Sequence, residues 1–404
     1  MLDGFDVLAI SFTAPSISNE WSIAPATLGV VFSAGLLGMT AGAIFIAPYT
    51  DVLGRRLMVL IALAVISVAM TLTGLVNSLW QLIVLRGLAG LGIGSMLASL
   101  TSMSAEYSPL RRRNLIITFV STGYPVGATI GGLVAAWMIP EFGWRSVFFA
   151  GGALTAAMIP AVILFMPESL HFLLEKQPVK ALEKINNVLT RLKQPALESL
   201  ANISKGSGAS PSVKALFTPE RRQSTILLWL AFFMCFMTLY FLLSWIPKVV
   251  VDAGLSLDKG IFAGITFNVG AFIGVVLLGY LADKKGLRPL IFWFCIIGAL
   301  LMLAFGFSPA IVGLLLVLSF LLGFFVDGGF AGLYPVAARI YPTEIRTTGV
   351  GWAIGAGRTG AIFGPFLGGI LIGLDWSISA YFVVFALPLV IAAYATRAIP
   401  SDAI

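Results

Sequence analysis

The sequence predicts an all-α integral membrane protein of about twelve transmembrane helices, arranged as two pseudo-symmetric bundles of six. Three observations support this fold class: the composition, the length of the apolar runs and an internal repeat. Of the 404 residues, 59% are hydrophobic and 11% are charged, whereas soluble domains carry about 25% charged residues. The runs are unbroken, unlike the alternating segments of about ten residues in an outer-membrane barrel, so each is expected to form a helix.

The apolar segments fall into two groups of six, and a polar stretch separates the groups. The segments are residues 1–22, 27–49, 57–76, 79–103, 115–139, 146–166, 225–247, 261–281, 289–307, 309–333, 349–373 and 377–399. We therefore predict a first bundle at 1–170, a cytoplasmic linker at 171–222 and a second bundle at 223–404. In the linker, ALEKINNVLTRLK has leucine and isoleucine at helical spacing, which predicts an amphipathic helix on the membrane surface. Residues 206–212 are typical of a flexible connection.

The basic residues predict the orientation in the membrane. Most lysines and arginines follow even-numbered segments or lie in the linker, whereas the opposite loops hold only Arg145, Lys248 and Lys259. By the positive-inside rule, the basic loops, the linker and both termini face the cytoplasm of a bacterial cytoplasmic membrane. The formal net charge of +7 is then explained by topology and by contact with anionic lipid, and a nucleic-acid partner is not needed.

Two pairs of loops show that the halves repeat. DVLGRR, from Asp51 to Arg56, matches DKKGLR, from Asp283 to Arg288, at an offset of 232 residues. PLRRR, at 109–113, matches PTEIR, at 342–346, at an offset of 233. Such a repeat is common in secondary transporters, which bind substrate near mid-membrane between the repeats.

The first six residues, MLDGFD, place two carboxylates one helical turn apart. Carboxylates inside a membrane helix usually mark an ion or substrate pathway, whereas carboxylates at a chain end are often solvated. The internal repeat distinguishes between these two interpretations. At the offset of 232 residues, Asp3 and Asp6 correspond to Cys235 and Thr238, which lie in the middle of the seventh segment. We therefore expect both carboxylates to lie at mid-membrane, and the first helix to be truncated at its N-terminus.

Several motifs resemble the major facilitator superfamily. GYLADKKGLR, at 279–288, resembles its G-x-x-x-D-[RK]-x-G-[RK]-[RK] loop, and the first-half copy departs from that pattern at Ala47 and Val52. RGLAGLG, at 86–92, is similar to the fourth-helix R-x-x-x-G-x-G motif, and PES, at 167–169, resembles the close of the sixth helix. The resemblance covers essentially the whole chain and implies the major facilitator fold.

A narrower resemblance is to the aromatic acid:proton symporters. Their first-helix D-G-x-D is matched by DGFD, from Asp3 to Asp6, and GAGRTGAIFGPFLGG, at 355–369, also looks like this group, with Arg358 inside the segment. Members import benzoate-like or hydroxybenzoate-like anions, and some import muconate. The resemblance implies proton-coupled symport of an aromatic or related unsaturated carboxylic acid by alternating access. It implies no cofactor beyond the proton gradient, and we expect a monomer.

The ionisable residues inside the segments suggest a division of roles. A carboxylate suits a proton, because burial raises its pKa towards neutrality, so Asp3, Asp6 and Asp327 are predicted to couple protons. Arginine keeps its proton and holds a carboxylate through two hydrogen bonds, so Arg358 is predicted to bind the substrate. Arg86 resembles the fourth-helix arginine that the superfamily associates with proton transfer. The alternative for both arginines is a static ion pair between helices.

Aromatic and polar residues near mid-span are further candidates for substrate binding. Tyrosine and tryptophan rings can stack on a planar acid, although such rings more often pack or anchor the protein at the membrane interface. The predicted substrate-binding residues besides Arg358 are Tyr240, Trp245, Asn268 and Tyr334.

Charged residues at the cytoplasmic ends are predicted to gate transport. They suit ion pairs that form in one conformation and break in the other, and the alternative is ordinary surface pairing, which is weak in water. The predicted gating residues are Asp51, Arg55, Arg56, Glu106, Arg113, Asp283, Lys284, Arg288, Glu344 and Arg346.

Two other functions remain open from the sequence. The first is a proton-driven exporter of amphipathic compounds, although GYPVGATIGG, at 123–132, departs from the G-P-x-x-G-G pattern of such exporters. The second is a membrane sensor on a transporter scaffold, which would need a signalling domain larger than the linker. An enzyme is not expected, because no nucleophile–base pair, metal cluster or cofactor motif is found, and Cys235 and Cys295 both lie within apolar runs.

Overall fold

The computed structural model describes residues 1–109, 120, 123–191, 193–200, 213–342 and 345–400, and in these ranges it contains helices and no β-strand. The helices are α1 (Leu2–Trp21), α2 (Pro25–Tyr49), α3 (Arg55–Thr73), α4 (Leu79–Glu106), α5 (Gly123–Phe142), α6 (Arg145–Phe165), α7 (Leu170–Lys176), α8 (Ala181–Arg191), α9 (Arg222–Asp252), α10 (Leu257–Lys285), α11 (Leu287–Gly306), α12 (Val312–Ile340), α13 (Arg346–Gly373) and α14 (Ile378–Ala398). The all-α prediction is confirmed.

A long helix lies at each of the twelve positions where the sequence predicts one. Among the described residues, ten of these helices are long and apolar enough to cross a membrane. The other two long helices are α1 and α13, which carry the charged residues Asp3, Asp6 and Arg358. Charged residues and glycines lower the mean hydropathy of a segment. This explains why α1 and α13 do not reach the hydropathy of the other ten long helices.

A short helix lies within the predicted linker, and the linker's role and cytoplasmic location stay predictions. ALEKINNVLTR forms α8, and Ala181, Ile185 and Val188 are buried along one face of that helix. A helix with one apolar stripe and one charged face is expected to lie on a surface. The predicted flexible connection at 206–212 lies outside the described residues.

By packing, the chain forms two compact units. The first comprises Met1–Leu36, Tyr124–Phe148 and Pro211–Ile404, and the second comprises Leu37–Gly123 and Phe149–Ser210. The predicted division into 1–170, 171–222 and 223–404 follows the internal repeat and stays a prediction.

Close helix crossings recur at equivalent positions in the two halves. A glycine lies at each crossing. A Cβ atom at that glycine would overlap a backbone carbonyl of the facing helix, so the two backbones are in direct contact. Between α2 and α4, Gly38 contacts the Gly87 carbonyl and, one turn further along, Gly42 contacts the Leu91 carbonyl. Between α10 and α12, the equivalent contacts are Gly270 with the Phe320 carbonyl and Gly274 with the Phe324 carbonyl. The repeat that the loops predict is therefore present in the packing.

The repeat also relates the N-terminal helix to the middle of α9. Gly127 of α5 packs on the carbonyl of Met1, and Gly360 of α13 packs in the same way on the carbonyl of Phe233. The N-terminal turn of α1 therefore corresponds to the centre of the 31-residue helix α9. Asp3 and Asp6 are buried, 8% and 1% exposed, so the interpretation of the two carboxylates as a solvated chain end is wrong.

The core of the first unit lies around α9. This helix is apolar on all sides, as expected for a segment surrounded by other helices. Phe241 stacks on Phe385 of α14 with ring centroids 3.8 Å apart and an interplanar angle of 6°. Thr238 donates a hydrogen bond of 2.8 Å to the Phe385 carbonyl. The buried hydroxyl of Thr238 therefore has a hydrogen-bond partner inside this core.

Candidate substrate and proton site

Tight packing between α1 and α5 positions the two N-terminal carboxylates. Gly4, between Asp3 and Asp6, has no room for a Cβ atom because the Tyr124 carbonyl of α5 occupies that space. The backbones of the two helices are therefore in direct contact, and the carboxylate positions follow from the helix geometry. Within the described part of the chain, Oδ1 of Asp3 is buried without a hydrogen-bond partner. A buried carboxylate oxygen left in this state is suited to receive a proton.

Arg358 of α13 lies beside this carboxylate. Its side chain is half-buried, and it makes no hydrogen bond or ion pair with the residues that the structure describes. The guanidinium interacts electrostatically with Asp3 on α1 and with Tyr240 on α9. It interacts in the same way with Tyr334 on α12. The structure thus brings a cation, a carboxylate and two phenols from four helices to one place.

An aromatic cluster adjoins Arg358. Tyr240 stacks on Phe236 with centroids 5.8 Å apart, and Phe236 meets Phe330 edge to face at 4.6 Å. Tyr334 also packs edge to face on Phe330, at 5.4 Å, and is 37% exposed. These rings offer both faces and edges to a planar ligand. Tyr240 and Tyr334 therefore lie where the sequence predicts a substrate site, and their role in binding stays a prediction.

Asp327 reaches the same place from an irregular turn of α12. Residues Gly323–Asp327 form a π-helical turn, a feature that is frequent at functional sites because it inserts one residue into the helix and reorients the side chains around it. Asp327 interacts electrostatically with Tyr124, Tyr240 and Tyr334. The predicted role of Asp327 in proton coupling stays a prediction.

Trp245 and Asn268 make packing contacts in the structure. The Trp245 side chain is fully buried, and its indole N–H donates a hydrogen bond of 3.0 Å to the Pro365 carbonyl. Asn268 is 2% exposed and donates a hydrogen bond of 2.8 Å to Gly264 of its own helix. The indole N–H of Trp245 and one amide N–H of Asn268 are therefore occupied by backbone carbonyls. The predicted substrate role of both residues is untested.

Arg86 lies in the second unit, on α4. It is 3% exposed, and its Nη1 atom lies 3.3 Å from the Met70 sulfur on α3. Burial confirms that this arginine is inside a helix bundle. Its predicted part in proton coupling stays a prediction.

Five residues near the basic loop of the second unit form a connected network. The Arg55 guanidinium pairs with the Glu106 carboxylate at the end of α4, and it also donates a hydrogen bond of 2.7 Å to Ser169 Oγ. Ser169 in turn donates to Glu106 at 2.6 Å.

Tyr107 adds a second connection to the PES segment. Burial raises the pKa of Tyr107 to about 12, so its hydroxyl stays protonated and donates to the Glu168 carbonyl at 2.7 Å. The loop, α4 and the PES segment are thereby joined.

Glu168 holds the start of α3. Its Oε1 atom accepts hydrogen bonds from the backbone N–H groups of Arg55, Arg56 and Ser169 at 2.8, 3.0 and 2.9 Å. The first N–H groups of a helix have no partner inside the helix, and an anion at this position also complements the helix dipole. Gly54, at φ 94°, provides the backbone conformation that brings the loop to this carboxylate.

We expect Glu168→Ala to lower the free energy of unfolding by about 2–3 kcal/mol, because three backbone donors lose an anionic acceptor. The measurement is thermal unfolding in detergent, with Glu183→Ala on the exposed face of α8 as the matched control. A melting temperature of Glu168→Ala equal to that of the control would contradict the capping role.

The second half repeats part of this arrangement. Arg288 donates to the carbonyl of Arg397 near the end of α14, as Arg56 donates to Ile163 near the end of α6. Lys284 instead bonds Tyr280 of its own helix at 2.8 Å. Arg346 donates to the Tyr341 carbonyl at 3.2 Å. The remaining predicted gating residues are not described, because Arg113 and Glu344 and the side chains of Asp51 and Asp283 lie outside the described part. Gating by this set stays a prediction.

Tyr124 is a site residue that the sequence interpretation missed. In the sequence it stands out only because it separates Gly123 from Pro125. In the structure it interacts electrostatically with Asp3, Tyr240 and Arg358. The internal repeat contained a usable signal, since Pro125 is the counterpart of Arg358 at the offset of 233.

Comparisons with known proteins agree with this architecture. The family model described as Major Facilitator Superfamily matches residues 1–313 and 265–402. A gallate transporter of Pseudomonas putida is 34% identical over 400 residues, which cover 98% of this chain and 89% of that protein. A 4-hydroxybenzoate transporter of Acinetobacter baylyi is 32% identical over 400 residues, covering 98% and 87%. A benzoate transport protein of the same organism is 30% identical over 403 residues, covering 97% and 85%.

Solved structures share the fold. The inward-open xylose transporter XylE from Escherichia coli superimposes with a TM-score of 0.74 at 20% identity, over 98% of this chain and 93% of that one. A bacterial homolog of the human lysosomal transporter Spinster gives a TM-score of 0.73 at 18% identity, over 98% and 94%. The curated relatives are transporters of aromatic acids and not enzymes. With a family model and relatives that span nearly its whole length, this chain belongs to the Major Facilitator Superfamily.

Proposed function

We propose that the chain is a proton-coupled symporter that imports an aromatic carboxylic acid across the bacterial cytoplasmic membrane. The observation that carries this proposal is Arg358, a guanidinium without a partner among the described residues, next to the rings of Tyr240 and Tyr334. A guanidinium holds a carboxylate through two hydrogen bonds, and a planar aromatic acid supplies both the carboxylate and a ring. The relatives named gallate, 4-hydroxybenzoate and benzoate transporters support this class of substrate.

Proton coupling is assigned to the buried carboxylates. Asp3 and Asp327 belong to the same group of interacting residues as Arg358, and Asp6 lies one turn from Asp3 on α1. An anionic substrate and an ionised carboxylate compete for one guanidinium. Protonation of the protein carboxylate removes that competition. Binding of the proton and binding of the substrate acid therefore favour the same substrate-bound state. Both ligands must favour the same conformational change for symport to follow. Arg86 is also assigned to proton coupling, because it resembles the fourth-helix arginine of the superfamily.

Contacts on the side opposite the basic loops support alternating access. Ser33 of α2 donates a hydrogen bond of 2.8 Å to the Ile362 carbonyl of α13. One turn away, a Cβ atom on Gly29 would lie 2.8 Å from the Pro365 carbonyl, and Gly369 makes the reciprocal approach to α2. We assign this crossing to a closed external end of the pathway, to be broken when the transporter opens outwards. The termini and basic loops are then cytoplasmic, the protein acts as a monomer, and the proton gradient takes the place of a cofactor.

The test is uptake into proteoliposomes of the full chain. Radiolabelled benzoate, 4-hydroxybenzoate, gallate and cis,cis-muconate are supplied with and without an inward proton gradient, and cyclohexanecarboxylate serves as a matched non-aromatic acid. We expect gradient-dependent uptake of at least one aromatic acid, abolished by a protonophore. An uptake rate that does not change between about pH 5 and 8, the range in which a buried carboxylate titrates, would contradict proton coupling. Absence of uptake of every acid would favour the exporter.

A further inference from the structure

Tyr124 carries a buried hydroxyl that nothing in the described part of the chain satisfies. Its oxygen is inaccessible to solvent and has no hydrogen-bond partner there. Buried polar side-chain atoms in folded proteins are nearly always hydrogen-bonded, and an unpaired one has a cost in free energy. A hydroxyl left unpaired inside a ligand site is therefore a candidate to bond the ligand.

The surroundings place this hydroxyl inside the Arg358 group. Tyr124 lies within electrostatic range of Tyr240, Asp3, Asp327 and Arg358. Its backbone is fixed, because its carbonyl fills the space beside Gly4 of α1. The phenol therefore stands on a rigid part of α5.

The repeat gives the relation between Tyr124 and Arg358. Pro125 and Arg358 are equivalent positions of α5 and α13, and Gly127 and Gly360 make the equivalent crossings of these two helices. Tyr124 therefore stands within one residue of the level of Arg358, on the helix that belongs to the other half. If Arg358 of α13 holds the carboxylate of a ligand, the opposite end of that ligand can reach Tyr124 on α5.

We infer that Tyr124 is a specificity-determining residue, whose hydroxyl hydrogen-bonds a ring hydroxyl of the substrate and so favours hydroxylated aromatic acids over benzoate. This inference rests on the proposed function. A phenolic hydroxyl on the ligand both donates and accepts, so it can bond Tyr124 and face the carboxylates of Asp3 and Asp327. A site built to bond a hydroxyl discriminates strongly against the analogue that lacks it.

The experiment compares Tyr124→Phe with the parent for uptake of 4-hydroxybenzoate and benzoate. The substitution keeps the ring and removes one hydroxyl, and Tyr394→Phe, at an exposed tyrosine of α14, is the matched control. We expect kcat/KM for 4-hydroxybenzoate to fall about tenfold, the effect of one lost hydrogen bond in a buried site. Uptake of benzoate should stay at the parental rate, because benzoate has no hydroxyl to bond.

The outcomes separate this inference from the proposed function. Parental uptake of both acids, with the preference unchanged in Tyr124→Phe, would overturn the inference alone. An equal loss for both acids would also overturn it, since it would show that Tyr124 supports the helix crossing and not the ring hydroxyl. A parent that takes up no aromatic acid would overturn the proposed function and the inference with it, whereas a parent that takes up benzoate but not 4-hydroxybenzoate would overturn the inference alone. A selective loss for 4-hydroxybenzoate would establish the inference.

Discussion

Arg358→Ala is expected to abolish uptake of the aromatic acid. The substrate carboxylate would lose a bidentate, charge-assisted pair, which is worth about 3 kcal/mol and corresponds to roughly a hundredfold in kcat/KM. Arg358→Lys keeps the positive charge and loses the planar fork, so uptake should be partly retained. The measurement is initial uptake of radiolabelled acid into proteoliposomes under an inward proton gradient.

The control for this prediction is Arg339→Ala. Arg339 lies near the end of α12 and is exposed, so its loss should leave uptake at the parental rate. Binding of the acid, measured by calorimetry in detergent, separates binding from transport. Parental affinity and uptake in Arg358→Ala would show that the guanidinium is not the anion site, and a different group would then have to hold the carboxylate.

Asp3→Asn is expected to uncouple the transporter. The amide has the shape of the protonated acid and stays neutral, so the variant is fixed in one of the two charge states that coupling requires. Accumulation driven by the proton gradient should fall to the level of empty liposomes. Exchange of labelled for unlabelled acid should continue, because exchange requires no net movement of protons.

Asp258→Asn provides the comparison for this second prediction. Asp258 lies in the first turn of α10 and pairs with Lys259 at 2.8 Å, with both side chains exposed. Removing that charge should change neither accumulation nor exchange. If Asp3→Asn still accumulated substrate in response to the gradient, Asp3 would not carry the coupled proton, and Asp327 would be the next residue to substitute.

The sequence was sufficient for the helices and for the burial of the N-terminal carboxylates. Hydropathy locates a membrane helix because each crossing needs an unbroken apolar run. The internal offset then placed Asp3 opposite Cys235, and the equivalent crossings at Gly127 and Gly360 agree with that placement. Both inferences use only the spacing of residues along the chain, which a sequence contains in full.

The parts that could not be predicted depend on which side chains meet. Trp245 and Tyr240 lie five residues apart on one helix, yet the indole of Trp245 bonds a facing carbonyl and Tyr240 joins the Arg358 group. The unpaired hydroxyl of Tyr124 and the triple acceptor role of Glu168 are likewise properties of packing. Composition and periodicity do not contain this information.

The crossing of α9 with α13 has the geometry of the crossing of α1 with α5, but it carries no carboxylate. Cys235 and Thr238 stand at the positions equivalent to Asp3 and Asp6, and both are completely buried. The same crossing therefore holds the predicted proton carriers in one half and an uncharged part of the core in the other. A charged group is thus not needed to form this crossing, and a neutral substitution of Asp3 or Asp6 is expected to leave the helix packing intact.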